Sequence, residues 1–449
     1  MSSATTRHAD TTSRWRAPVL FLILAALFVL EGTTRNALFS GSWNTSLSIL
    51  NMGLISAVVV LGVNMQWGYA GLFNAGVVGF VAIGGLAPVL VSIGPAPGAW
   101  DAGGPRLLLA LAFGLGVIAL AALAYHRLAG RGWRGLVVGV IVIGGYLAYR
   151  WLLDPATDAI EANNPAALGN IGGLGLPILL SWPVGALFAA VLAWGVGKVA
   201  LGLRSDYLAI ATLGIGEIIV AVLKNEDWLA RGVKNVSGLP RPVPYEVDLQ
   251  RNPAFQSFAA DWGFPVNEAS GIWVKLGYTS LFLAVLLALI LLSELALKSP
   301  WGRMMRAIRD NETAARAMGK DVTARHLQVF VIGSAIIGLG GAMMITQDGL
   351  MAPTAYNPLR YTFLIWVMVI VGGSGNNWGA VLGAVLIWFF WIKVEVWGPA
   401  LMGFLTAPLP PGPLREHLLT SAPHMRFIAM GLLLLLVLRF APRGLLPEE

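Results

Sequence analysis

The sequence predicts an all-α, polytopic membrane protein of about ten to twelve transmembrane segments, and three observations carry that prediction. Of its 449 residues 57% are hydrophobic and 12% charged, against roughly 25% charged in ordinary soluble domains. The apolar residues fall in runs long enough, or nearly long enough, to cross a bilayer, at about 17–31, 45–66, 68–93, 106–126, 135–153, 176–202, 205–223, 277–297, 327–346, 361–373, 378–397 and 426–440. The charges sit mainly between the runs. Twelve crossings is the simplest count, and merging broken segments gives ten.

In chain order, Arg7, Arg14 and Arg16 precede the first run. The stretch that follows it, Glu31 to Arg35, has no small-x-small cleavage site, so the run reads as a retained span and not a signal peptide. Residues 1–16 are then a cytoplasmic N-terminus and 17–449 a single transmembrane domain. With that orientation the loop 127–134 (Arg127, Arg131, Arg134), the island 298–326 with seven Lys or Arg, and Arg439 and Arg443 all fall inside, as the positive-inside rule requires. The other face receives Asp154, Asp158 and Glu161, and a long loop, 224–276, whose six basic and six acidic residues balance. Topology therefore explains the net charge of +7 better than nucleic-acid binding does.

Two stretches, Gly71, Ala75, Gly79 and Ser334, Gly338, Ala342, repeat small residues every fourth position, which lets helix backbones approach closely. The Gly- and Asn-rich break from Gly372 to Gly379 follows a run too short to span alone. It reads as a re-entrant turn, which survives in a membrane only when buried in protein or lining a wet cavity.

The island 299–322 has its own fold signals. Ser299 before Pro300 starts a helix, and Trp301, Met304, Met305 and Ile308 fall on one face with Arg303 and Arg306 opposite and Arg309 at the edge. Asp310 or Asn311 caps a second short helix from Glu312 to Met318, and Gly319 stops it in the left-handed conformation. The product is a helix pair with an Ala-lined surface, held against the bilayer at both ends. A solvated basic loop is the plainer alternative.

Polar groups within the runs are few. Glu217 lies inside 205–223, and an intramembrane carboxylate needs a partner or water; it is either a path residue or a structural acid bonded to a neighbouring helix. Asn64, Asn74, Asn376 and Asn377 are amides of the kind that glue helices together. There is no Cys, and the five His have no metal-ligand spacing. Gly195, Gly197 and Lys198 do not make a nucleotide-binding loop. Glu217 stands nearly alone, which disfavours a proton relay, although Na⁺ coupling through backbone carbonyls would escape that argument. No paired carboxylates or Ser/His constellation suggests an enzyme.

Five motifs together resemble the permease subunits of branched-chain amino acid ABC importers. They are Arg306 to Gly319, similar to the loop that docks on the ATPase; Gly68-Tyr-Ala-Gly71 with Gly76, Gly79, Phe80, Ile83 and Gly84; Arg204 to Glu217; Ser237 to Pro240; and Val371 to Gly379. The sequence departs from the family's usual pattern at Gly84-Gly85-Leu86 and at Ala230 to Asn235, and it has an extra hairpin near 106–153.

The resemblance implies a non-catalytic subunit of an importer in a bacterial inner membrane, with N- and C-termini cytoplasmic. The chain binds no cofactor itself, and ATP is used by partners. Those partners are two ATPase subunits, a second homologous permease and a periplasmic substrate-binding protein, with membrane lipid around them and no nucleic acid. It assigns ATPase docking to Arg306, Arg309, Glu312, Ala314, Ala315 and Gly319, and a translocation path bordered by Asn74, Tyr207, Thr212 and Glu217. The expected cargo is a branched-chain amino acid. Urea or short amides within the same class, and an ion-coupled secondary carrier, are the alternatives.

Overall fold

The computed structural model describes residues 4–36, 38–163, 169–203, 205–410 and 412–448. Arg204 lies outside these residues, and the side chains of 1–14, which include Arg7, His8 and Arg14, and of Ser205 and Asp206 are likewise undescribed. The described chain is almost entirely helical. In order it forms α1 (Ala4–Thr33), α2 (Trp43–Ala70), α3 (Val77–Ser92), α4 (Ala99–Arg127), α5 (Arg134–Ala162), α6 (Ser181–Ala200) and α7 (Ser205–Asn225). Three short helices, α8 (Asp227–Ala230), α9 (Glu246–Arg251) and α10 (Pro253–Asp261), lead to α11 (Val266–Lys298), α12 (Pro300–Asp310), α13 (Glu312–Ala317) and α14 (Val322–Asp348). The chain finishes with α15 (Leu364–Gly372), α16 (Asn377–Thr406), α17 (Pro413–Ser421) and α18 (Met425–Phe440). A two-residue strand β1 (Val236–Ser237) pairs antiparallel with β2 (Leu350–Met351).

Among the described residues ten helices are long and apolar enough to cross a membrane, and two shorter apolar ones, Val77–Ser92 and Leu359–Gly372, bring the total to twelve. The expected all-α polytopic architecture is what the chain adopts. Helices α2 and α14 are the axis, with 83% and 72% of their spanning windows buried, and α3, α6, α11 and α16 surround them. Helix alternation puts the loop 127–134, the island and the segment after α18 at one end of the bundle, and β1–β2 at the other.

Several boundaries differ from the sequence reading, each for a local reason. Gly71 takes φ 68° and its N–H bonds Trp67 O at 2.9 Å, a left-handed cap that ends α2. Residues 71–76 are therefore extended, so Gly71, Ala75 and Gly79 share no helix face. Gly79 instead packs with Gly76 against Gly216 of α7. The second small-residue series does mark a crossing. A Cβ on Gly84 would overlap the carbonyl oxygen of Gly338, and one on Gly185 would lie 2.8 Å from Gly84 O, so α3, α6 and α14 meet backbone to backbone. The long loop is shorter than 224–276, because α11 begins at Val266. Its charged start is tied to α2, with Lys275 donating to Asn44 O at 2.9 Å and Asn51 donating to Lys275 O at 3.0 Å. Helix α1 starts at Ala4, so residues 4–16 continue the first span's helix.

Candidate functional site

The island folds as the helix pair its sequence specifies. Ser299 Oγ accepts from Gly302 N, Asn311 Oδ1 accepts from Ala314 N at 2.9 Å, and Gly319 adopts φ 76°. Asn311, not Asp310, is the second cap. Met305 and Ile308 are fully buried and Trp301 and Met304 partly so, which lays α12 against the bundle. Glu312, Ala314, Met318 and Gly319 face outward, Met318 with 79% of its surface exposed. Ala315 is buried beneath α13, so it supports that surface and does not form it. Arg306 is half-buried.

Arg309 turns inward. Its guanidinium donates to the carbonyl of Gly68, in the last turn of α2, and to Glu448 Oε2 at 2.8 Å, and it pairs with Asp310 at 3.3 Å. Burial works against the charge, but the hydrogen bond and charge of Glu448, with Asp310, outweigh it and hold the Arg309 pKa above its ordinary value. It is bonded to the bundle and away from the outer surface assigned to it.

Around Arg309 the Gly-rich break forms a polar hub. The break is a turn joining α15 to α16 at the end of the bundle, packed in protein. Asn64 Oδ1 accepts from Gly375 N at 2.9 Å, and Asn377 Oδ1 accepts from Tyr69 Oη at 3.0 Å and from Asn64 Nδ2 at 3.3 Å. Asn377 Nδ2 in turn donates to Glu294 Oε1 of α11 at 3.0 Å. Asn376 caps α16 through the N–H groups of Trp378 and Gly379. The hub thus links α2, α11, α12, the turn and the 441–448 segment.

The expected path residues separate into two places. Asn74 and Thr212 are buried and spent on holding residues 71–76: Asn74 Nδ2 donates to Gln66 Oε1 at 2.9 Å, Trp366 Nε1 to Asn74 O at 3.0 Å, and Ala75 N to Thr212 Oγ1 at 3.0 Å. Gln66 continues to Phe330 O and Ser334 Oγ, both at 2.9 Å. Tyr207 and Glu217 lie on the opposite face of α7, which is exposed along Tyr207, Ile210, Leu213 and Ile218. Glu217 makes no hydrogen bond or ion pair with the described residues of this chain.

Sequence reasoning passed over Gln66, Tyr69, Glu294 and Glu448, and a buried pair at the far end, Lys393 Nζ to Glu31 Oε2 at 2.7 Å. The available signal was a lysine inside an apolar run, which needs a partner of opposite charge.

A protein-family model described as branched-chain amino acid transport system / permease component matches residues 135–438. The high-affinity branched-chain amino acid transport system permease protein LivM of Salmonella typhimurium is 30% identical over 232 residues, 51% of this chain and 53% of that protein. The probable branched-chain amino acid transport permease protein LivM of Methanocaldococcus jannaschii is 26% identical over 397 residues, 87% and 90% of the two chains. The xylose transport system permease protein XylH of Escherichia coli is 24% identical over 260 residues, 55% of each. The match thus spans about half the length of the Salmonella relative. No solved structure matches the chain. With twelve apolar helices among the described residues, two of them the buried axis, and more than half its length matched by one family, the chain belongs to the permease component family of branched-chain amino acid transport systems.

Proposed function

We propose that the chain is the non-catalytic membrane subunit of an ATP-driven importer for branched-chain amino acids, with the α12–α13 pair as the surface on which an ATPase subunit seats. One observation carries the docking part: a capped helix pair whose apolar face is locked into the bundle while Glu312, Ala314, Met318 and Gly319 stand clear of it. Small side chains at 314 and 319 leave room for a partner's knob. The basic loops share this end, and the positive-inside rule supports reading it, with both chain ends, as cytoplasmic.

The outer face of α7 supports a second permease subunit. A carboxylate twelve residues into a 21-residue apolar helix is too costly to leave against acyl chains. Glu217 and Tyr207 then border a path between two subunits, fed by a substrate-binding protein from the β1–β2 end. Two ATPases complete the assembly.

Copurification from membranes and uptake with the full set of partners test this reading. Ala314→Trp adds bulk on an exposed helical position and should abolish ATPase capture and import without loss of membrane insertion; normal capture would sink the docking assignment. Glu217→Gln should reduce uptake by about tenfold or more, while wild-type uptake would remove it from the path. Relatives named as xylose and fructose permeases favour a sugar as the second cargo class. Competition of labelled leucine by a pentose, or by urea, separates these cargoes. Import by the chain without ATP would favour a secondary carrier.

A further inference from the structure

We infer that the segment 441–448 is a strap that sets the angle of the α12–α13 pair on the bundle, with Glu448 and Arg309 as its positioning residues. This rests on the docking reading above for its consequence in transport, and on geometry alone for its existence.

After α18 the chain turns back across the end of the bundle. Leu445 N donates to Val371 O at 2.8 Å and Leu446 N to Gly372 O at 2.9 Å, filling carbonyls that the end of α15 leaves without a helical partner. Asn376 Nδ2 donates to Pro447 O at 3.1 Å, and Leu446 is buried. The contact is backbone on backbone: a Cβ on Gly373 would overlap Leu446 O, and one on Gly444 would overlap Gly373. The strap is thereby fixed to the α15–α16 turn. Its far end presents Glu448 to Arg309, which also holds the last turn of α2.

Beyond Arg309, the N-terminal half of α12 is tied to α11 and α14 by Arg303 donating to Lys298 O at 3.1 Å and Trp301 Nε1 donating to Gln328 Oε1 at 3.4 Å, while its C-terminal half is held by apolar packing through Met305 and Ile308. Apolar packing is non-directional, so it keeps the C-terminal half of α12, which leads into α13, against the bundle without fixing its direction. The Arg309 fork is directional. A partner that pushes on α13 therefore moves α16 through Arg309, Glu448 and the strap, as well as α11 and α14 through the chain. Arg309 and Glu448 keep 24% and 31% of their side-chain surface exposed, so losing the pair loosens the angle and leaves the bundle folded.

The chain has no Cys, so paired spin labels can be placed cleanly. Met318→Cys on the helix pair and Gly202→Cys, where added side-chain atoms meet open space, report the angle in the full chain in lipid nanodiscs. Glu448→Gln should broaden that distance distribution, Glu448→Asp should restore most of it, and thermal unfolding should stay unchanged. In the complex with ATPase and binding protein, Glu448→Gln should keep ATPase capture but lower import per ATP about threefold to tenfold, the range of a half-buried charge-assisted bond. An unchanged distance distribution overturns the strap. A changed distribution with an unchanged import ratio overturns its role in coupling. Failure of the wild-type chain to capture an ATPase overturns the docking reading and the coupling role together, and the distances then decide the strap alone.

Discussion

Helices α2 and α4 are both long apolar spans, yet they occupy opposite environments. Helix α4 is the more hydrophobic of the two, and it has 17% of its spanning window buried, against 83% for α2. Its hairpin partner α5 has 6%. The two pack on each other, and they meet the rest of the protein at the β1–β2 end through Ala96, Ala99, Ile160 and Ile171 with Leu90 and Trp228. Helix α2 carries Asn51, Asn64 and Gln66, all buried and all bonded to other helices, whereas Leu107 to Ala124 of α4 contains no polar side chain. A helix facing lipid must be apolar all round, while one surrounded by protein can carry amides that find partners. Mean hydropathy does not rank burial here, since α5 is less hydrophobic than α2 and far less buried; amides bonded between helices mark the axis.

The largest expected effect breaks that contrast at its most expensive bond. Glu31 and Lys393 are both almost wholly buried, and Ser40 Oγ adds a hydrogen bond to Glu31 Oε1 at 2.6 Å. Glu31→Gln leaves the ammonium buried without its counter-charge and should cost about 3–5 kcal/mol, while Glu31→Leu with Lys393→Met should recover most of it. The comparison in the hairpin is Arg150 with Asp154, 42% and 44% exposed. Arg150→Gln there should change stability by less than about 1 kcal/mol. Unfolding in detergent of the three variants checks the ordering; equal losses at the two pairs would mean that the hairpin is as protein-bound as the contact between α1 and α16.

Much of the fold could be read from the chain because bilayer length and local capping are short-range constraints. The twelve apolar runs, the caps at Ser299 and Asn311 and the stop at Gly319 each depend on a few neighbouring residues. What could not be read depends on contacts between distant segments. Lys393 is 362 residues from Glu31 and Asn377 is 313 from Asn64, and no periodicity announces such a pairing. Arg309 fits the basic edge of α12 in a helical projection, and only the fold of 441–448 reveals that it is bonded inward. Thr212 and Glu217 are five residues apart on one helix, and the burial of one and exposure of the other follow from where Gly79 lets α3 touch α7.

The same substitution in two helices gives the finest test of the contrast. Gly338 lies where α14 crosses α6, and a Cβ there would overlap that of Ala189 and come within 2.7 Å of Gly185 O. Backbone cannot yield without moving a helix, so Gly338→Ala should cost about 1–3 kcal/mol by overpacking. Gly144, in the middle of α5, has nothing within 4 Å of the point where an alanine methyl would stand. Gly144→Ala should be neutral or stabilising by up to about 1 kcal/mol, since alanine loses less backbone entropy in a helix. Opposite signs in unfolding of the monodisperse chain would hold α14 as axis and α5 as lipid-facing. If Gly144→Ala destabilises as much as Gly338→Ala, the open face of α5 is covered by protein, and the hairpin belongs to an interface.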